Sequence, residues 1–116
     1  MSSPTQVLQL EVTTDGKRTL VRFLHCESLN EYNADRVGQL LSELAIAHAD
    51  KQVVLDMGTI QYLTSTILGH LMALHKKLRA SGGRLRLENV LPAVREVFHA
   101  TLLDQVMDIQ ASAAVS

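Results

Sequence analysis

The stretch from Val53 to Leu78, VVLDMGTIQYLTSTILGHLMALHKKL, decides how this chain folds. Val53, Val54 and Leu55 form a β-branched-rich run between Asp50-Lys51 and Asp56-Met57-Gly58, the pattern of a short strand buried on both faces. Three hydroxyl residues, Thr64, Ser65 and Thr66, stand directly before a helical period. Leu68, Leu71, Met72 and Leu78 share one stripe while Lys76, Lys77, Arg79 and Ser81 lie elsewhere, which predicts a core-facing helix. Thr64 or Ser65 is its expected hydroxyl cap, and Lys76, Lys77 and Arg79 followed by Gly82-Gly83 mark its end.

A serine in the first turn of a helix sits among backbone N–H groups that have no intrahelical acceptor, at the positive end of the helix dipole. Phosphate added there is stabilised, and it brings about −1.5 to −2 charge to one spot. The hydroxyl cluster therefore has the physics of a switch. The commoner use of such hydroxyls is simply to cap the helix.

Outward from this core, Val7, Leu8, Leu10 and Val12 alternate with polar Gln9, Glu11 and Thr13, which predicts a half-exposed strand from Gln6 to Val12. Asp15-Gly16 is a hairpin signal, and Thr19 to His25 supplies the returning strand. Cys26 to Asn30 breaks the pattern, with Ser28, Asn30 and Asn33 as turn and capping residues. Val37, Leu40, Leu41 and Leu44 then define an amphipathic helix over roughly Glu31 to His48. Beyond the central helix, Arg84 to Val90 alternates as a strand with leucines inward. Pro92 opens a third helix with Val94, Val97, Phe98 and Thr101 on one stripe, and Val106 to Ile109 reads as a short last strand. The tail from Gln110 to Ser116 need not be ordered. The pattern is that of a single α/β domain spanning residues 1 to 116. Its mixed sheet has four to five strands, an N-terminal antiparallel hairpin and parallel right-handed crossovers, with one face better covered than the other.

At 116 residues and 47% hydrophobic, the chain is long enough to bury a core without staples. A net charge of −1 gives no electrostatic reason to expect nucleic acid or an anionic membrane surface, so protein surfaces are the expected partners. The single Cys26 excludes an intramolecular disulfide, and with neither a signal peptide nor a long apolar run the expected compartment is the cytoplasm, with no membrane insertion. Histidines 25, 48, 70, 75 and 99 lack metal-ligand spacing. Gly82-Gly83 ends a helix where a phosphate loop would open one, and Ser65 sits in no nucleophile elbow, so neither a cofactor nor catalysis is expected.

The V-V-L-D strand, the hydroxyl pair before L-G, the G-G-R-L-R-L return and the P-A-V-R-E-V-F helix followed by L-L-D together resemble the STAS domain (sulfate transporter and anti-sigma factor antagonist domain). The resemblance runs over about residues 6 to 109, and the one-domain length looks most like bacterial anti-sigma factor antagonists, monomeric or weakly dimeric. In that family the central helix starts with Asp-Ser-Ser/Thr-Gly-Leu-Gly, and the serine after the aspartate is phosphorylated by a kinase that is also the anti-sigma factor. Unphosphorylated antagonist binds the kinase and frees the sigma factor; phosphorylation releases it, and a phosphatase resets it.

The resemblance thus implies Ser65 as phosphoacceptor, with Thr66 the lesser candidate. It implies a partner surface of Asn30, Asn33, Gln61, Tyr62, Thr64, Ser65, Thr66, Ile67 and Leu68. Two departures stand out: Thr64 replaces the aspartate, and Ile67 replaces the first glycine. If Ile67 and Leu68 belong to an interface, they form an exposed apolar patch. The departures leave room for a STAS module that binds without being phosphorylated, as a stress-signalling scaffold or a lipid-transport subunit. A small-ligand groove beside the helix is a third reading, disfavoured by the few aromatics and the missing phosphate loop.

Overall fold

A computed structural model describes residues 8 to 111. Strands β1 (Gln9–Asp15) and β2 (Arg18–Leu24) form the expected hairpin, pairing antiparallel from Gln9↔Leu24 to Asp15↔Arg18. Gly16 takes φ +63 in the two-residue loop, the conformation a hairpin with glycine first in its turn requires. Strand β1 ends at the turn rather than at Val12, because the ladder continues through Thr13 and Thr14 to Asp15. The Gln6-Val7 end of the expected strand lies outside the described residues.

After the two-residue β3 (Ser28–Leu29), helix α1 covers Ala34–Ala47. Residues 31 to 33, read from sequence as its first turn, stay out of it. The Asn33 side chain accepts from the Asn30 N–H at 2.8 Å, and the Asn30 side chain accepts from the Tyr32 N–H at 2.8 Å. Such local bonds hold the backbone in turns that compete with helix.

Strand β4 (Gln52–Asp56) leads through β5 (Tyr62–Leu63) into α2 (Ser65–Ala80), then β6 (Arg84–Val90), α3 (Pro92–Ala100), a one-turn 3-10 helix (Leu103–Gln105) and β7 (Asp108–Ala111). The last strand lies two residues later than read from sequence. Leu102 at φ 61 starts the 3-10 turn, which carries the chain past Val106 before pairing with β6 begins at Arg86↔Asp108.

The five-stranded sheet has the order β1-β2-β4-β6-β7, antiparallel in the hairpin and parallel elsewhere, and β3 and β5 form a separate parallel pair. Buried residues of all three helices join one core with Val21, Phe23, Val53, Leu55, Leu85 and Leu87 from one face of the sheet. Val54 is fully buried yet stands outside that core, because it points to the opposite face. There the side chains form ion pairs: Arg22 with Glu11 and Asp56, Arg86 with Glu88 and Asp108, and Arg18 with Glu88. One face is thus covered by helices and the other by long charged side chains, as the small number of helices predicts.

Candidate functional site

The site forms where two loops meet the start of α2. The short parallel pair β3 and β5 sets Ser28 beside Tyr62 and Leu29 beside Leu63, and thereby holds the loop after β3 against the loop before α2. Leu29 and Leu63 are both buried under this junction. Flanking backbone bonds extend the join, from Gln61 N–H to the Glu27 carbonyl at 2.7 Å and from Thr64 N–H to the Leu29 carbonyl at 3.1 Å.

Thr64 occupies the cap position with extended backbone (φ −105, ψ 170), but its side chain makes no cap bond. Its Oγ1 is buried without a hydrogen-bond partner among the described residues. The expected hydroxyl cap is therefore in place by position and absent as a bond. The Thr64 carbonyl accepts from Leu68 N–H, as the first helical acceptor should, and the Thr64 side chain covers none of the N–H groups of the first turn. Ser65 is the first helical residue and is exposed, and Thr66 beside it is exposed too. Thr66 Oγ1 donates to Glu31 Oε2 at 3.1 Å, across 35 residues of sequence.

Ile67 and Leu68 overturn one expectation. They are 0% and 6% exposed, so there is no apolar surface patch at these positions. With Leu71, Leu74, His75 and Leu78 they form the inward stripe of α2, and Met72, assigned to that stripe from sequence, is only half-buried. Ile67 fills the core beneath the helix start, which means it neither blocks an approaching partner nor anchors one. Asn30 and Asn33 are half-buried and engaged within their own loop; the Asn33 amide also donates to the Ser28 carbonyl, and the Asn30 amide to Ser28 Oγ, each at 2.8 Å. They shape the loop that presents Glu31 and Tyr32.

Gln61 and Tyr62 are exposed as expected. Tyr32 and Glu31 are the residues missed from sequence. The chain has four aromatic residues: Phe23 and Phe98 are core, whereas Tyr32 and Tyr62 are exposed, Tyr32 completely. Both tyrosines lie on the two loops beside Ser65. Tyr32 sits between Asn30-Glu31 and Asn33, and an aromatic in so polar a run was the available signal. Lys76, Lys77 and Arg79 lie toward the far end of the 16-residue α2, about 17 to 21 Å along its axis from Ser65, and belong to no common surface with it.

Cys26 is half-buried, and burial raises the pKa of its thiol, which donates to the Ser28 carbonyl at 3.2 Å. It packs against the hydrophobic core. Among the described residues no group of three or more metal-ligating side chains converges, and no helix is long and apolar enough to cross a membrane.

The STAS domain profile matches residues 15–115, and the chain belongs to the STAS domain family. It is 39% identical over 72 residues to BtrV of Bordetella bronchiseptica, which carries the provisional name of anti-sigma factor antagonist; the match spans 60% of this chain and 60% of that protein's length. An anti-sigma factor antagonist (STAS) domain protein of Planctomyces limnophilus superposes with a TM-score of 0.80 at 19% identity, over 88% of this chain and 89% of that one. The Bacillus cell fate determinant SpoIIAA in its phosphorylated form superposes with a TM-score of 0.64 at 21% identity, over 89% of this chain and 90% of that one. The fold is that of the STAS anti-sigma factor antagonists.

Proposed function

We propose that this protein is an anti-sigma factor antagonist, a regulatory binding protein in which an exposed surface around Ser65 captures an anti-sigma factor that is also a serine kinase, so that a sigma factor is freed. Phosphorylation of Ser65 ends the capture, and a phosphatase restores it. The observation that carries this reading is Ser65 itself: an exposed hydroxyl at the first position of α2, beside a cap residue whose side chain leaves the helix N–H groups uncovered. A phosphate there gains the N–H groups and the helix dipole, so the modified state is accommodated by the fold. For a partner packed on the same surface, the added dianion brings desolvation and repulsion instead. SpoIIAA, of the same fold, exists in a phosphorylated form, which supports a phosphate on this scaffold. Tyr32 and Tyr62 supply the large, rigid contact area from which binding hot spots are built.

Thr64 favours a second reading. The carboxylate of the family motif is replaced by a hydroxyl buried without a partner, which fits a STAS module that binds its partner without being phosphorylated. One experiment separates the two: intact-mass analysis after incubation with ATP and the kinase of the same genome, for wild type and Ser65→Ala, with binding measured in parallel. One added phosphate, lost in Ser65→Ala, together with weaker binding of the modified form, supports the switch. Binding without phosphate supports the second reading, and neither binding nor phosphate defeats both.

A further inference from the structure

We infer that Glu31 selects which hydroxyl of the Ser65-Thr66 pair accepts the phosphate, by occupying Thr66 and leaving Ser65 as the acceptor. This rests on the proposed phosphorylation of the site and adds a determinant outside the helix that carries it. The two hydroxyls are adjacent, both exposed and both in the first turn of α2, so exposure and the helix dipole do not tell them apart. Their surroundings do. Thr66 Oγ1 donates its proton to Glu31 Oε2 at 3.1 Å, while Ser65 has no such tie among the described residues. Successive helical side chains diverge by about 100° around the axis, so a carboxylate seated on Thr66 is not seated on Ser65.

Glu31 is itself fixed. Asn30 accepts from the Tyr32 N–H and Asn33 accepts from the Asn30 N–H, each at 2.8 Å, which holds the residue between them over the start of α2. The β3 and β5 pairing keeps the two loops in register. A phosphoryl group arriving at Thr66 must displace a carboxylate and then remain beside it, two negatively charged groups within contact distance.

In the favoured step Ser65 Oγ attacks the terminal phosphorus of a nucleoside triphosphate. The new O–P bond forms as the bond to the bridging oxygen breaks, the nucleoside diphosphate leaves, and the hydroxyl proton is released. Glu31 touches neither reacting atom in this step; it is a specificity residue.

Two measurements test this. Phosphoserine is placed at position 65, or phosphothreonine at position 66, by genetic incorporation, each in the wild-type and Glu31→Gln backgrounds, and the four proteins are melted. Glu31→Gln is expected to raise the melting temperature of the phosphothreonine form by about 4 °C and to leave the phosphoserine form unchanged. A phosphothreonine form indifferent to residue 31 overturns the inference. In the second measurement, mass spectrometry locates the phosphate after treatment with the kinase and ATP. The share on Thr66 should rise roughly tenfold in Glu31→Gln and return to the wild-type value in Glu31→Asp, a rescue that a merely structural role would not give. An unchanged distribution in Glu31→Gln overturns the inference. If the kinase transfers phosphate to neither residue, the proposed switch fails, while the melting comparison still decides the role of Glu31.

Discussion

Arg18 and Glu88 meet at 3.3 Å from strands that are not neighbours, reaching across β4 from opposite sides. Arg18 is level with Gln52 and Glu88 with Asp56, so the pair crosses diagonally over Val54, which is fully buried on a face without helices. Both partners are partly exposed, and the charge interaction is worth at most about 1 kcal/mol. The aliphatic stem of Arg18 is the more important cover. Arg18→Ala should therefore destabilise the domain by about 1 kcal/mol in urea unfolding, and Arg18→Met, which keeps the stem, by about half of that. Equal losses in the two variants would show that the charge matters more than the cover.

Gly38 lets α1 and α2 approach each other. A Cβ on residue 38 would stand 2.6 Å from the His70 ring, at the far end of a side chain that can swing aside at some cost. Gly38→Ala should lose about 1 kcal/mol, and His70→Ala in the same chain should cancel most of that loss, a coupling read directly from a double-mutant cycle. Gly83 gives the contrast. Its Cβ would stand 2.6 Å from the Lys51 carbonyl and 2.7 Å from the Ala49 carbonyl, backbone atoms that cannot step aside, and Gly83→Ala should cost about 3 kcal/mol.

Gly69 lies within α2 with nothing near the position its Cβ would take. Gly69→Ala should stabilise the fold by about 0.5 to 1 kcal/mol, since a helical glycine loses more chain entropy than alanine. If the partner packs closely over the start of α2, the same change weakens binding. Higher melting temperature with lower affinity would place the interface at this turn.

His75 is buried with its Nδ1 lacking a partner among the described residues, and burial lowers its pKa, with Arg79 and Lys76 adding repulsion. The folded state disfavours the imidazolium, so below pH 6.5 the unfolded chain binds more protons and stability falls with pH. The loss should begin near pH 6.5 and continue until the folded state protonates as well. His75→Leu should flatten the slope of unfolding free energy between pH 7 and 5.5. An unchanged slope would assign the dependence to other groups.

Tyr32 is wholly exposed and Tyr62 is 60% exposed. Tyr32→Ala and Tyr62→Ala should each leave stability within about 0.5 kcal/mol and weaken binding of the proposed anti-sigma factor partner by about tenfold or more, measured by calorimetry. Full affinity in both variants would move the interface elsewhere.

The elements with strong periods were legible because their signals are local. Val53 to Leu55, the Arg84 to Val90 alternation and the Asp15-Gly16 turn each state their structure within a few residues. What escaped is what depends on partners far along the chain. The β3 and β5 pair is two residues per strand, too short for any period, and exists because residues 28 and 62 meet. Ile67 looked like a surface residue through its place in a motif, yet its spacing to Leu71, Leu74 and Leu78 puts it on the inward stripe. Glu31 could not be read as a site residue, since only folding brings it to Thr66.

The pairing of β3 with β5 also bears on how this surface can be imitated or blocked. Its parts are contributed by two segments that sequence separates and the two-residue ladder brings together. The proposed partner surface is therefore discontinuous. A peptide copied from residues 59 to 70 carries the hydroxyls and one tyrosine but not the loop that faces them, and so makes a poor competitor for the partner. An inhibitor or antibody raised against the folded domain would instead lose its target as soon as the two loops are prised apart.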